Sequence, residues 1–189
     1  MRRGLWRMGL VGLTLLVSVG WWMENRRVDT VRPLAEVAAG SVGETKYEAA
    51  KWNGWYRPGS NKCNQAVADW IVASGHPRPK VPGHFGWVPR DPSAHEWADP
   101  RVEIGGWSRP MARELALPGD VIAQAHGPVY GHVGVVVAAR RTVLAYGEMT
   151  PAGLVVENDW GFRAGRGENG EGPADAAPVV RRWVGKVSQ

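Results

Sequence analysis

The chain holds a single cysteine, Cys63, in the stretch SNKCNQAVADW (residues 60–70). One thiol cannot form an internal disulfide, so Cys63 is either a small buried apolar group or a nucleophile. A thiol attacks as thiolate, and a free cysteine is mostly protonated at neutral pH. The start of a helix favours the thiolate, because unpaired N–H groups and the helix dipole stabilise negative charge there. The same N–H groups can hold the oxyanion of a tetrahedral intermediate, which makes Cys63 the oxyanion candidate as well. Proton transfer needs a histidine, and of the five in the chain His132 stands apart. It heads a strongly β-forming run in PVYGHVGVVVAA (128–139), directly after a glycine. Alternation places Val133, Val135 and Val137 on one face and His132, Gly134 and Val136 on the other. On this reading, small Gly134 leaves room for the helix that carries Cys63. A third group would orient the imidazole. Glu148 in TVLAYGEMT (142–150) can serve if its strand forms a hairpin with the His132 strand, and Asn158 in VVENDWGFR (155–163) competes with it.

The elements that must position these groups are legible in outline. From Asn61, a fair N-cap, Ala66, Val67, Trp70 and Ile71 recur on one helical face, and Ser74-Gly75 ends the helix. A shorter helix is expected after Thr45, broken at Arg57-Pro58-Gly59. Residues 28–42 read as a linker. Residues 76–119, rich in Pro, Gly and Trp and without a clean period, read as a long structured loop forming a cleft wall. From Asp120 strands follow at short intervals, in DVIAQ, GHVGVVVAA, TVLAYGE, GLVVEN and PVVRRWV, with Arg140-Arg141 as one turn. The Gly-rich stretch 164–172 lacks the spacing of a phosphate loop and reads as a flexible loop. Helices first and closely spaced strands afterwards predict an α+β fold with helices packed on a mostly antiparallel sheet.

The net charge of +5 is carried largely by residues 1–32, which hold six arginines against Glu24 and Asp29, a net +4. The remainder is close to neutral, so a nucleic-acid partner is not expected. Arginines flank an uncharged run from Met8 to Met23. Residues 1–27 therefore read as a membrane anchor or a signal peptide, with Trp21-Trp22 suited to an interface and Ser18-Val19-Gly20 to cleavage. Either outcome places the rest of the chain, 43–189, outside the cytoplasm: anchored facing the periplasm or cell exterior, or secreted.

NKCNQAVADW, followed by LPGDVIA and GHVGVVV, resembles the CHAP class of cysteine, histidine-dependent amidohydrolases/peptidases and the related NlpC-type wall peptidases. The resemblance covers roughly residues 45–160. It implies a papain-like fold, a cysteine hydrolase that cuts amide bonds of bacterial peptidoglycan, and no cofactor. It also implies Cys63 as nucleophile, His132 as general base and Glu148 at the acidic position on the following strand. Asp120 of Pro-Gly-Asp matches a turn-holding residue. Gly-Glu-Met-Thr stands where the family has a Ser-Glu-Asn run, and the insertion HEWADPRVEIGGW (95–107) is unlike short CHAP domains.

His76, His84 and His95 fit no compact ligand spacing, so no metal is expected. Of the eleven tryptophans, Trp97 and Trp107 flank the loop before Pro-Gly-Asp and are candidates for a substrate groove. Two rival readings accompany the hydrolase: a catalytically silent envelope scaffold or wall-binding module on the same fold, and a thiol acyltransferase in which an amine displaces water at the thioester.

Overall fold

The computed structural model describes residues 32–48, 52–53, 62–83, 88–127, 130–145, 155–159 and 177–185. All of them belong to one unit, Arg32–Gln189. The N-terminal anchor or signal segment, Asn61, His84, Glu148 and the Gly-rich stretch 164–172 lie outside the described residues. No helix among the described residues is long and apolar enough to cross a membrane.

Among the described residues, three helices precede the sheet. Helix α1, Leu34–Gly40, buries Leu34, Val37 and Ala38 at i, i+3 and i+4, and the Ser41 hydroxyl donates back to the Val37 carbonyl at 3.2 Å. Residues 34–40 of the stretch read as a linker are thus helical: three apolar residues at helical spacing suffice to dock them on the core. Helix α2, Cys63–Ala73, buries Cys63, Ala66, Val67, Trp70 and Ile71 on the expected face. It stops where Ser74 donates to the Trp70 carbonyl and Gly75 takes φ 82°. The stretch after Thr45 forms a turn at residues 46–47, with no helix among the described residues there.

Helix α3, Ala94–Ala98, lies within the segment read as loop. Its start is a capping box: Ser93 accepts from Glu96 N, and Glu96 accepts from Ser93 N at 2.8 Å.

Among the described residues, six strands form one sheet in the order β1-β6-β2-β3-β4-β5, every pairing antiparallel. They are β1 Met111–Ala112, β2 Val121–His126, β3 Tyr130–Ala138, β4 Arg141–Ala145, β5 Val155–Asp159 and β6 Val179–Arg181. A 3-10 turn, Arg113–Leu115, follows β1. The β3–β4 turn sits at Ala139-Arg140, with Arg140 at φ 61°, because Arg141 already pairs with Ala138.

The sheet separates two apolar clusters. On one face Val121, Ala123, Val133, Val135, Val143, Ala145 and Val155 pack with the apolar faces of α1, α2 and α3. On the other, Ile122, Val136, Leu144 and Val180 pack with Met111, Ala116 and Val156. Each fully buried valine or leucine contributes about 1.5–3 kcal/mol, so β-branched alternation on the central strands holds the layers together.

Two polar anchors fix the sheet's flank. Asp120 accepts from Leu117 N at 2.8 Å and from two nitrogens of Arg182 at 2.8 and 2.9 Å, the turn-holding role expected of Pro-Gly-Asp. Arg181 is buried and donates to the carbonyls of Trp97, Ser108, Asp99 and Val102 at 2.7–3.1 Å. Burial pushes its pKa down to about 10. A buried guanidinium costs heavily unless its donors are satisfied, and here backbone carbonyls within and after α3 satisfy it.

Candidate functional site

Cys63 is the first residue of α2 and only 3% exposed. The N-cap position belongs to Lys62 and not to the expected Asn61, and Lys62 makes no side-chain capping bond. The helical ladder begins with Ala66 N donating to the Lys62 carbonyl at 2.9 Å, so the amides of residues 63–65 stand outside it. Lys62 is itself buried, with Nζ donating to the Glu48 carbonyl at 2.7 Å, and burial lowers its pKa. The positive end of a helix favours a thiolate over a thiol.

His132 is the third residue of β3, in the middle of the sheet, and 6% exposed. Its direct partner across the β2–β3 ladder is Gln124, which is 2% exposed. His126, two residues further along β2, presents its ring to His132 edge-on at 6.1 Å between centroids. Sheet pairing thus gathers Gln124, His126 and His132 on one face.

The face differs from the expectation. Helix α2 packs on β3 and β4, and the residues of β3 in its cluster are Val133, Val135 and Val137. Alternation directs His132, with Gly134 and Val136, to the other side of the strand. The reason lies in area: three β-branched side chains bury far more apolar surface against a helix than a histidine and a glycine do. Gly134 is therefore not the residue that admits the helices.

Gly131 is. A Cβ there would lie 2.5 Å from the Gln124 carbonyl oxygen and 3.2–3.3 Å from the backbone of His95 and Ala94, at the start of α3.

The third-residue candidates divide. Glu148 lies outside the described residues. Asn158 pairs with Thr142, and Thr142 pairs with Val136, so Asn158 stands two strands across and four residues along from His132. Four residues span about 13 Å along a strand, and two strand spacings add about 9–10 Å across. The pairing does not bring Asn158 beside His132.

Trp97 and Trp107 are corrected from groove to core. They are 1% and 6% exposed and meet edge to face at 5.1 Å, and Trp107 meets Trp183 at 5.6 Å. Rings so enclosed pack the α3 segment against the chain after β6 and present no open surface. Among the described residues, no three His, Cys, Asp or Glu side chains gather closely enough to hold a metal ion.

No family model, curated protein or solved structure matches the chain. Gln124 and His126 were missed in the sequence although a signal was present. In VIAQAH the alternate positions 122, 124 and 126 run from apolar to polar along one strand face. Their meaning depends on a hairpin register that brings them to His132.

Proposed function

We propose that the chain is a cysteine-dependent hydrolase of papain-like type that cuts amide bonds in bacterial peptidoglycan. The observation that carries this reading is a thiol in the first turn of a buried helix that packs on the central strand bearing a buried histidine. The resemblance of NKCNQAVADW, LPGDVIA and GHVGVVV to the CHAP and NlpC-type enzymes supports it, as does the turn-holding geometry of Asp120.

For this chemistry His132, which alternation turns to the sheet face opposite α2, must reach the thiol: it then accepts the proton of Cys63, and the thiolate attacks the scissile carbonyl carbon. Negative charge passes to the carbonyl oxygen, held by the amide of Cys63. The tetrahedral intermediate collapses to a thioester, with the amine leaving on the proton carried by His132. Water, giving its proton to His132, attacks the thioester and releases the carboxylate and the Cys63 thiol. An anchored or exported enzyme meets this polymer outside the cytoplasmic membrane. Incubating the full chain with purified sacculi is expected to release soluble muropeptides or free amines, and equal release by Cys63→Ala would end the proposal.

A second reading, a silent envelope scaffold or wall-binding module, is favoured by one observation: alternation directs His132 to the sheet face opposite α2. It predicts retention of the chain on sacculi without cleavage, and a Cys63 thiol that reacts no faster at neutral pH than an ordinary buried cysteine.

A further inference from the structure

We infer that Gln124 is a positioning residue for His132, fixing the orientation and tautomer of its imidazole from the neighbouring strand. The inference rests on the hydrolase reading for its catalytic meaning, and on the β2–β3 pairing for its geometry. Gln124 and His132 are direct partners in an unbroken antiparallel register that runs from Val121↔Val135 to His126↔Tyr130. Direct partners point to the same face with Cβ atoms about 4.5–5.5 Å apart, within reach of a glutamine amide. Both residues are almost fully enclosed.

The same face of β2 carries Ile122 in the apolar cluster, so an amide one step further along is costly unless its polar atoms are used. A neutral carbonyl oxygen suits this position. It accepts from a ring N–H and selects one tautomer without adding a charge that would hold the imidazole protonated. His126 is a weaker candidate for the same task, because its ring meets His132 edge-on with centroids 6.1 Å apart, too far for a direct ring-to-ring hydrogen bond. One strand, β4, separates Asn158 from His132, and none separates Gln124 from it.

The test is carried out on the full chain, labelled with 15N, by recording long-range proton–nitrogen correlations of the His132 ring at neutral pH. Three proteins are compared: wild type, Gln124→Leu, which keeps most of the volume, and Gln124→Glu, which keeps an acceptor oxygen. The wild type is expected to give the pattern of one neutral tautomer, Gln124→Leu a mixture of two, and Gln124→Glu a ring that stays protonated to higher pH. Alkylation of Cys63 is expected to slow about tenfold in Gln124→Leu, the factor that one net hydrogen bond represents. A wild-type tautomer pattern in Gln124→Leu overturns the inference. Should that variant not fold, an unshifted His132 titration in Gln124→Glu overturns it equally. The ring spectra do not depend on hydrolysis. If the wild type leaves sacculi intact, the hydrolase reading fails while the tautomer comparison still decides the role of Gln124.

Discussion

Asn158 and His132 lie on strands separated by β4, four residues out of step, so their side chains cannot share a hydrogen bond. If His132 is the base, Asn158→Ala leaves sacculus hydrolysis and Cys63 alkylation within about twofold of wild type, the scatter typical of substitutions away from a site. A loss of a hundredfold or more would place Asn158 in the site and contradict the pairing.

Gly131 is the tightest backbone approach at the head of β3. Gly131→Ala would push a methyl into the Gln124 carbonyl at 2.5 Å, with α3 behind it. Neither neighbour is the end of a flexible side chain, so the change is expected to destabilise the protein by about 1–3 kcal/mol. Urea or thermal unfolding measures it. An unchanged midpoint would show that α3 does not rest on this glycine.

Arg140 holds φ 61° in the β3–β4 turn, a conformation that costs an L-residue roughly 1 kcal/mol or more. Arg140→Gly is expected to raise Tm by a few degrees, and Arg140→Val to lower it. The opposite order would mean that the arginine side chain contributes more than its backbone conformation costs.

A cluster of ion pairs predicts an acid limb of stability. Burial opposes ionisation of Asp91, but hydrogen bonds from Arg78 at 2.6 and 2.8 Å and from Lys80 at 2.9 Å outweigh it and hold the carboxyl below its ordinary value. Glu96 is lowered in the same way: burial opposes, while Arg90 and the Ser93 cap prevail. A carboxyl with a depressed folded pKa adds stability that is present above its unfolded value and lost as pH falls through its folded value. Stability is therefore expected to decline below about pH 4, with a shallower decline in Asp91→Asn. A pH series of unfolding free energies checks this, and parallel slopes for the two proteins would contradict it.

How much was legible in the sequence follows from which signals are local. The buried face of α2, the strand run from Val121 to Ala145 and the role of Asp120 were all readable, because periodicity and turn chemistry act within a few residues. Helix α3 was missed although Ser93 and Glu96 spelled its capping box, since a five-residue helix among prolines shows no period. Helix α1 was hidden by its brevity. Which face of β3 meets the helices was misread, because a glycine beside the histidine was weighed above three alternating valines. The Gln124–His132 pairing was out of reach, since a hairpin register is set by long-range packing as much as by the turn.

The central claim is that His132 activates Cys63, and the rate of Cys63 alkylation by iodoacetamide as a function of pH tests it most directly. The Cys63 thiol is expected to react with an apparent pKa well below the ordinary value of about 8.5, returning toward that value in His132→Ala. A slow thiol with an ordinary or raised pKa, the same in wild type and in His132→Ala, would contradict the claim and leave Cys63 as a small buried group in the core of a scaffold.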